Sequence, residues 1–185
     1  GNPPTMPGQD AADSTTTDDT ADKQPVLLIT GGKITVNADG DGLDSNGNLR
    51  VEGGDITING PANGGNGALD IGTENGGSGV IAGGTLIALG TSSMAENFDS
   101  TSTQCAFLVT MNSFGAGETI TITDSQGTVL YTGVTVKSAN SVVFSSPDLT
   151  VGETYTVTIG SISATVTQSS TVVGNSNGFG GFGRH

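Results

Sequence analysis

The chain has no tryptophan, one cysteine and one histidine, and its 5 lysines and arginines face 18 acidic residues. Each scarcity excludes something. A single cysteine rules out an intrachain disulfide framework, and Cys105, inside the apolar run Cys105-Ala106-Phe107-Leu108-Val109, reads as a small buried hydrophobe. The only histidine is His185, in a Gly-rich tail, so no Ser–His or Cys–His pair is expected in a folded region. A net charge of −13 removes the electrostatic footprint of a nucleic-acid binder. It also sets the surface against anionic lipid and anionic polysaccharide unless a cation intervenes. Aromatic residues are 4% of the chain, too few for an aromatic-anchored core. No run is long and apolar enough to span a bilayer. The chain opens Gly1-Asn2-Pro3-Pro4 without a leader pattern and reads as a mature, excised or truncated form.

What is abundant is glycine, 31 residues, together with Thr, Val, Ile, Ser and Asn. That mixture favours strands joined by tight turns. Residues 1–25 read as a flexible acidic linker, with Asp10, Asp13, Asp18, Asp19 and Asp22 among Ser, Thr and Ala. From Val26 the sequence becomes self-similar. Ile29-Thr30-Gly31-Gly32-Lys33-Ile34-Thr35-Val36 recurs as Val51-Glu52-Gly53-Gly54-Asp55-Ile56-Thr57-Ile58 and as Ile81-Ala82-Gly83-Gly84-Thr85-Leu86-Ile87-Ala88. A second motif, Gly42-Leu43-Asp44, recurs as Ala68-Leu69-Asp70 and as Ser93-Met94-Ala95.

Two motifs repeating in the same order at this spacing predict a β-solenoid. The expected fold is all-β: a short right-handed parallel β-helix over 26–98, then an antiparallel cap or small sandwich over 99–168, then a Gly-rich tail over 169–185. Alternation sends Ile and Val inward and Thr outward. Ile34, Ile56 and Leu86 should stack as one buried column, and Leu43, Leu69 and Met94 as another. The Gly pairs should form corners where a Cβ would clash, and Pro61–Asn66 should be an inserted loop.

The densest polar segment is Asn37-Ala38-Asp39-Gly40-Asp41-Gly42-Leu43-Asp44-Ser45-Asn46-Gly47-Asn48. Carboxylates and amide oxygens interleaved with Gly suit calcium, which takes six to eight oxygen ligands. The spacing is not that of an EF-hand, since Asp44 stands where Gly is needed and Arg50 where the bidentate Glu belongs. In a solenoid the ligands come from adjacent coils, so Asp44 and Asp70 should be neighbours, two carboxylates that repel without a cation. The candidate metal ligands are Asp39, Asp41, Asp44, Asn46, Asn66 and Asp70. The alternative is that these Asp and Asn residues cap turns through their own backbone. Arg50, able to fork onto a carboxylate, is the candidate ligand-binding residue. Lys33 and Arg50 are the only basic residues of the repeats and read as solvent-facing, so the expectation is a protein without catalysis, the alternative being a calcium-dependent polysaccharide lyase that uses one of them as its base.

At these residues the sequence resembles a family of bacterial secreted carbohydrate-binding-domain proteins, related in fold to pectate-lyase-like right-handed β-helices. The resemblance is carried by Ala38-Asp39-Gly40-Asp41-Gly42-Leu43-Asp44-Ser45-Asn46-Gly47, Asn59-Gly60-Pro61 and Asn66-Gly67-Ala68-Leu69-Asp70. Ser145-Ser146-Pro147-Asp148-Leu149 and Gly152-Glu153-Thr154-Tyr155 extend it, from about Val26 to Ile159. It implies a secreted or cell-surface protein with bound calcium and affinity for acidic, polygalacturonate-like polysaccharide. Members of that family carry more coils before this point, so the chain reads as the C-terminal part of a longer protein. A structural or adhesive protein, self-associating through open solenoid ends, is the alternative reading.

Overall fold

The computed structural model describes residues 24–174. Both the acidic segment up to residue 23 and the end of the Gly-rich tail from residue 175 lie outside the described residues. The fold is all-β, with parallel and antiparallel sheets and no closed barrel.

The first strands alternate apolar and polar residues, and each finds its partner in the next copy of the repeat. β1 (Val26–Ile29), β2 (Lys33–Asn37) and β3 (Leu43–Asp44) make one circuit. β4 (Asn48–Val51), β5 (Asp55–Asn59) and β6 (Leu69–Asp70) make the next. β7 (Gly79–Ile81) and β8 (Thr85–Gly90) begin a third. Equivalent strands pair in parallel: β1 with β4 and β4 with β7, β2 with β5 and β5 with β8, and β3 with β6. Ile34, Ile56 and Leu86 share one register column, as the repeat requires. Ile56 and Leu86 are buried, but Ile34 is only half-buried because no strand lies beneath it among the described residues.

The Gly pairs form the corners. A Cβ at Gly53 would meet the Thr30 carbonyl, and one at Gly83 would meet that of Glu52, so the circuit beneath forces glycine there. The second Gly of each pair, such as Gly54 with φ 107°, takes the left-handed conformation.

Two expectations need correction. Ser93-Met94-Ala95 is not a third Leu-Asp strand: Ser92–Met94 is a 3-10 turn, and Met94 is 44% exposed. The column of Leu43 and Leu69, both buried, therefore ends after two members. The extra length of the second repeat is not one insertion at Pro61–Asn66. β2 meets β5 at an offset of 22 residues, β3 meets β6 at 26, and β5 meets β8 at 30. The surplus is thus divided between the loop after β5 and the 3-10 turn Thr73–Asn75 after β6.

The second half continues one of these sheets. β9 (Ala106–Phe114) pairs antiparallel with β12 (Ala139–Ser145), and β12 pairs antiparallel with β8. β10 (Thr119–Thr123), β11 (Val129–Val134), β13 (Thr154–Ile159) and β14 (Ile162–Thr167) form a separate antiparallel sheet. β15 (Val172–Val173) adds parallel to β9, so part of the stretch read as tail is an ordered edge strand.

Burial explains the unusual sequence of β8. Leu86 and Ala88 face the core inside the parallel circuits, with Ile56, Ala106 and Val143. Ile87 and Leu89 face the opposite core, with Phe107, Phe144, Tyr155 and Ile120. A strand covered on both sides has no use for the exposed Thr that β2 carries at Thr35.

Candidate metal centre

The two Leu-Asp strands position the site. Leu43 and Leu69 turn inward, which by strand alternation turns Asp44 and Asp70 outward. The parallel register then sets Asp44 beside Asp70. Asp41 joins them from the turn before β3, its Oδ1 accepting the Gly67 N–H at 2.7 Å. One carboxylate oxygen from each of Asp41, Asp44 and Asp70 lies within 4.8 Å of the others, a group that can hold a metal ion.

The donor chemistry suits a hard cation. All three groups offer oxygen only, the type of ligand calcium and magnesium take. Asp44 Oδ1 accepts the Asn46 N–H at 3.0 Å. Like Asp41, it therefore commits one oxygen to backbone and keeps another for a ligand. Burial raises the Asp70 pKa above its ordinary 3.8, and the negative charges of Asp41, Asp44 and Glu74 add to that rise. A carboxylate whose pKa is raised by neighbouring negative charge is one a cation would stabilise.

Two further acids extend the patch, and the motif spacing did not single them out. Glu74 comes from the 3-10 turn after β6. Glu96 accepts the Ile71 N–H at 2.5 Å and the Thr73 hydroxyl at 3.1 Å. Burial raises the Glu96 pKa above 4.5 despite those bonds, with Asp70 and Glu74 contributing. Had the third Leu-Asp copy been read one residue further than Ala95, Glu96 would have stood out. A cavity of about 150 Å³ lies beside the cluster, bordered by Asp70, Glu74, Met94 and Glu96.

The other candidates stand apart. Asp39 projects into solvent and pairs with Lys137 at 3.1 Å, while the Lys137 ammonium also donates to the Ala38 carbonyl at 2.5 Å. Asn46 has φ 47° and meets Asp44 through its backbone N–H, the turn-capping arrangement that competes with the metal reading for that pair. Asn66 Nδ2 reaches Asn63 Oδ1 at 3.5 Å within its own loop. Arg50 is on the outward face of β4 and is paired with Glu52 Oε1 at 2.5 Å, with both side chains largely exposed. The sequence reading also passed over an amide pair across the circuits, Asn59 Nδ2 donating to Asn37 Oδ1 at 2.7 Å. Asn59 is buried, and the bond satisfies an amide that would otherwise be costly there.

Comparison with family models, with curated proteins and with solved structures finds no match to this chain.

Proposed function

We propose that this chain is a non-catalytic, calcium-dependent binding protein for acidic polysaccharide, built on a short right-handed parallel β-helix. The observation that carries this reading is the convergence of Asp41, Asp44 and Asp70 from two successive circuits onto one partly exposed point. In it, those three residues would hold the ion. Calcium needs six to eight oxygens, more than three single-oxygen contacts provide, so water or a sugar carboxylate completes the shell. When bound, the ion supplies positive charge to a surface that otherwise repels polyanions, since the whole chain carries −13.

The reading is of binding, not bond cleavage. Arg50 is engaged with Glu52 and Lys137 with Asp39, and Lys33 is exposed on β2, outside the strands that carry the acidic triad. A site with few protein ligands and open access suits affinities of roughly 10⁻⁴–10⁻³ M, as in extracellular calcium modules. The location that goes with this reading is secreted or bacterial cell-surface.

Co-sedimentation with polygalacturonate tests the proposal. Retention should be lost with chelator, fall when the polymer is methyl-esterified, and be weak on neutral glucan or xylan. Equal retention on polygalacturonate with and without chelator would refute the bridging mechanism.

A further inference from the structure

Five Asn-Gly pairs lie among the described residues: Asn46-Gly47, Asn59-Gly60, Asn63-Gly64, Asn66-Gly67 and Asn75-Gly76. Each sets an electrophile beside a nucleophile. The glycine nitrogen, once deprotonated, can attack the side-chain amide carbon of the asparagine before it, and no side chain on the glycine obstructs the approach. What the fold does with that N–H decides which pair reacts.

Four of the five are held. The Gly60 N–H donates to the Leu89 carbonyl at 2.9 Å, and Asn59 is itself buried. The Gly67 N–H donates to Asp41 Oδ1 at 2.7 Å. The Gly76 N–H donates to the Thr73 carbonyl at 3.1 Å and closes the 3-10 turn. Gly47 is buried, its N–H donating to Ser45 Oγ at 3.4 Å. The Gly72 backbone also packs so close to it that a Cβ at Gly72 would meet the Gly47 nitrogen.

Asn63-Gly64 differs. Both residues are exposed in the loop after β5, and the Gly64 N–H has no acceptor among the described residues. The loop is anchored through its oxygens instead: the Thr91 hydroxyl donates to the Asn63 carbonyl and the Ser93 hydroxyl to that of Gly64, each at 3.3 Å. The Asn63 side chain is set up as the electrophile. Its Oδ1 accepts the Gly65 N–H at 3.2 Å and, more weakly, Asn66 Nδ2 at 3.5 Å. Those donors sit on the oxygen where negative charge grows as a nucleophile adds to Cγ.

We infer that the fold singles out Asn63 as a site of modification, converted to aspartate and isoaspartate by attack of the chain's own backbone. Solvent hydroxide takes the Gly64 N–H proton, and the nitrogen bonds to Asn63 Cγ. The Cγ–Nδ2 bond breaks and the nitrogen leaves as ammonia with a proton from water, which regenerates hydroxide and leaves a cyclic imide. Water then opens the ring. Cleavage of the new Cγ–N bond gives aspartate, and cleavage of the original peptide C–N bond gives isoaspartate. The product carries one more negative charge. It loses the Nδ2 that donates to the Asp39 carbonyl at 3.3 Å, while the Gly65 N–H gains a charged acceptor.

The test is to age the folded full chain in mildly alkaline buffer made with heavy-oxygen water, then read each asparagine by tandem mass spectrometry of tryptic segments. Chelator throughout keeps the outcome separate from the calcium reading. Heavy-oxygen aspartate and isoaspartate should accumulate at Asn63 in step with released ammonia, while Asn46, Asn59, Asn66 and Asn75 stay amides. In urea, which frees the held N–H groups, the other four should convert alongside it. Gly64 has no positive φ, and a Cβ there would meet only the Ser93 hydroxyl at 3.2 Å. Gly64→Ala should therefore fold, checked by circular dichroism, and slow the conversion several-fold by crowding the attacking nitrogen. If Gly64→Ala fails to fold, the comparison of folded and urea-treated wild type decides. An Asn63 that stays amide in the folded chain, conversion spread equally over the five pairs, unchanged selectivity in urea, or a folded Gly64→Ala that converts at the wild-type rate would overturn the inference.

Discussion

Burial raises the Asp70 pKa, and the negative charges of Asp41, Asp44 and Glu74 around it raise it further. Removing its charge has opposite consequences with and without calcium. In chelator, Asp70→Asn should raise the melting temperature by about 1–2 °C, a modest gain because solvent screens the cluster. With millimolar calcium the variant should lose the stabilisation the wild type acquires, since an ion bound only by the folded state stabilises by mass action. Scanning calorimetry in both buffers checks both signs. Glu96 offers a pH test nearby. Its folded pKa is raised above 4.5, so its contribution is fully present below that value and is lost as pH rises through the raised one. Glu96→Gln keeps an oxygen for the Ile71 N–H and removes that loss. In chelator the variant should be the more stable near pH ~7 and indistinguishable from wild type near pH ~4, by urea unfolding. A gap that widens at the acid end would contradict the assignment. Asp44 and Asp70 were legible in the sequence because a two-residue strand repeats around them, and Asp41 because Gly brackets it. Asp39 was not, because its partner Lys137 lies 98 residues away, a contact no local pattern reports.

At the scale of elements, the Gly-Gly corners show which part of the repeat is local and which belongs to stacking. The second Gly of each pair turns the chain by its positive φ, whatever lies beneath. The first is demanded only where another circuit lies below. Gly53→Ala should therefore cost about 1–3 kcal/mol, the usual range for overpacking against backbone that has no room to yield. Gly31→Ala should change stability by no more than about 0.5 kcal/mol. Chemical denaturation of the pair checks this, and equal costs would mean that the circuits do not stack as described. The strands themselves were readable wherever alternation was clean: Thr119–Thr123 and Thr154–Ile159 form over the residues their patterns specify. Met94 misled because an apolar residue at the right interval also satisfies a 3-10 turn, here tied to β12 by the Ser92 N–H donating to Asn140 Oδ1 at 2.7 Å. In β8, Leu86-Ile87-Ala88-Leu89 lacks alternation, and this was the sequence's own sign of a strand buried on both faces.

On the scale of the whole molecule, one sheet joins what the sequence presents as two regions. β8, β12 and β9 carry the interior of the circuits on one face and the Phe107–Phe144–Tyr155 cluster on the other. The change of texture near Phe98 was visible in the sequence. The continuous hydrogen bonding across it, from β8 to β12, was not, because antiparallel pairing between strands so far apart leaves no periodic trace. The acidic site is on the circuits, away from that shared sheet, so its properties can be measured on an intact fold. Calorimetric titration of calcium into the metal-free chain, beside Asp44→Ala, tests the central claim most directly. The account predicts saturable binding with a dissociation constant of roughly 10⁻⁴–10⁻³ M that Asp44→Ala weakens at least about tenfold. Absence of binding in the wild type, or binding that Asp44→Ala leaves unchanged, would contradict it.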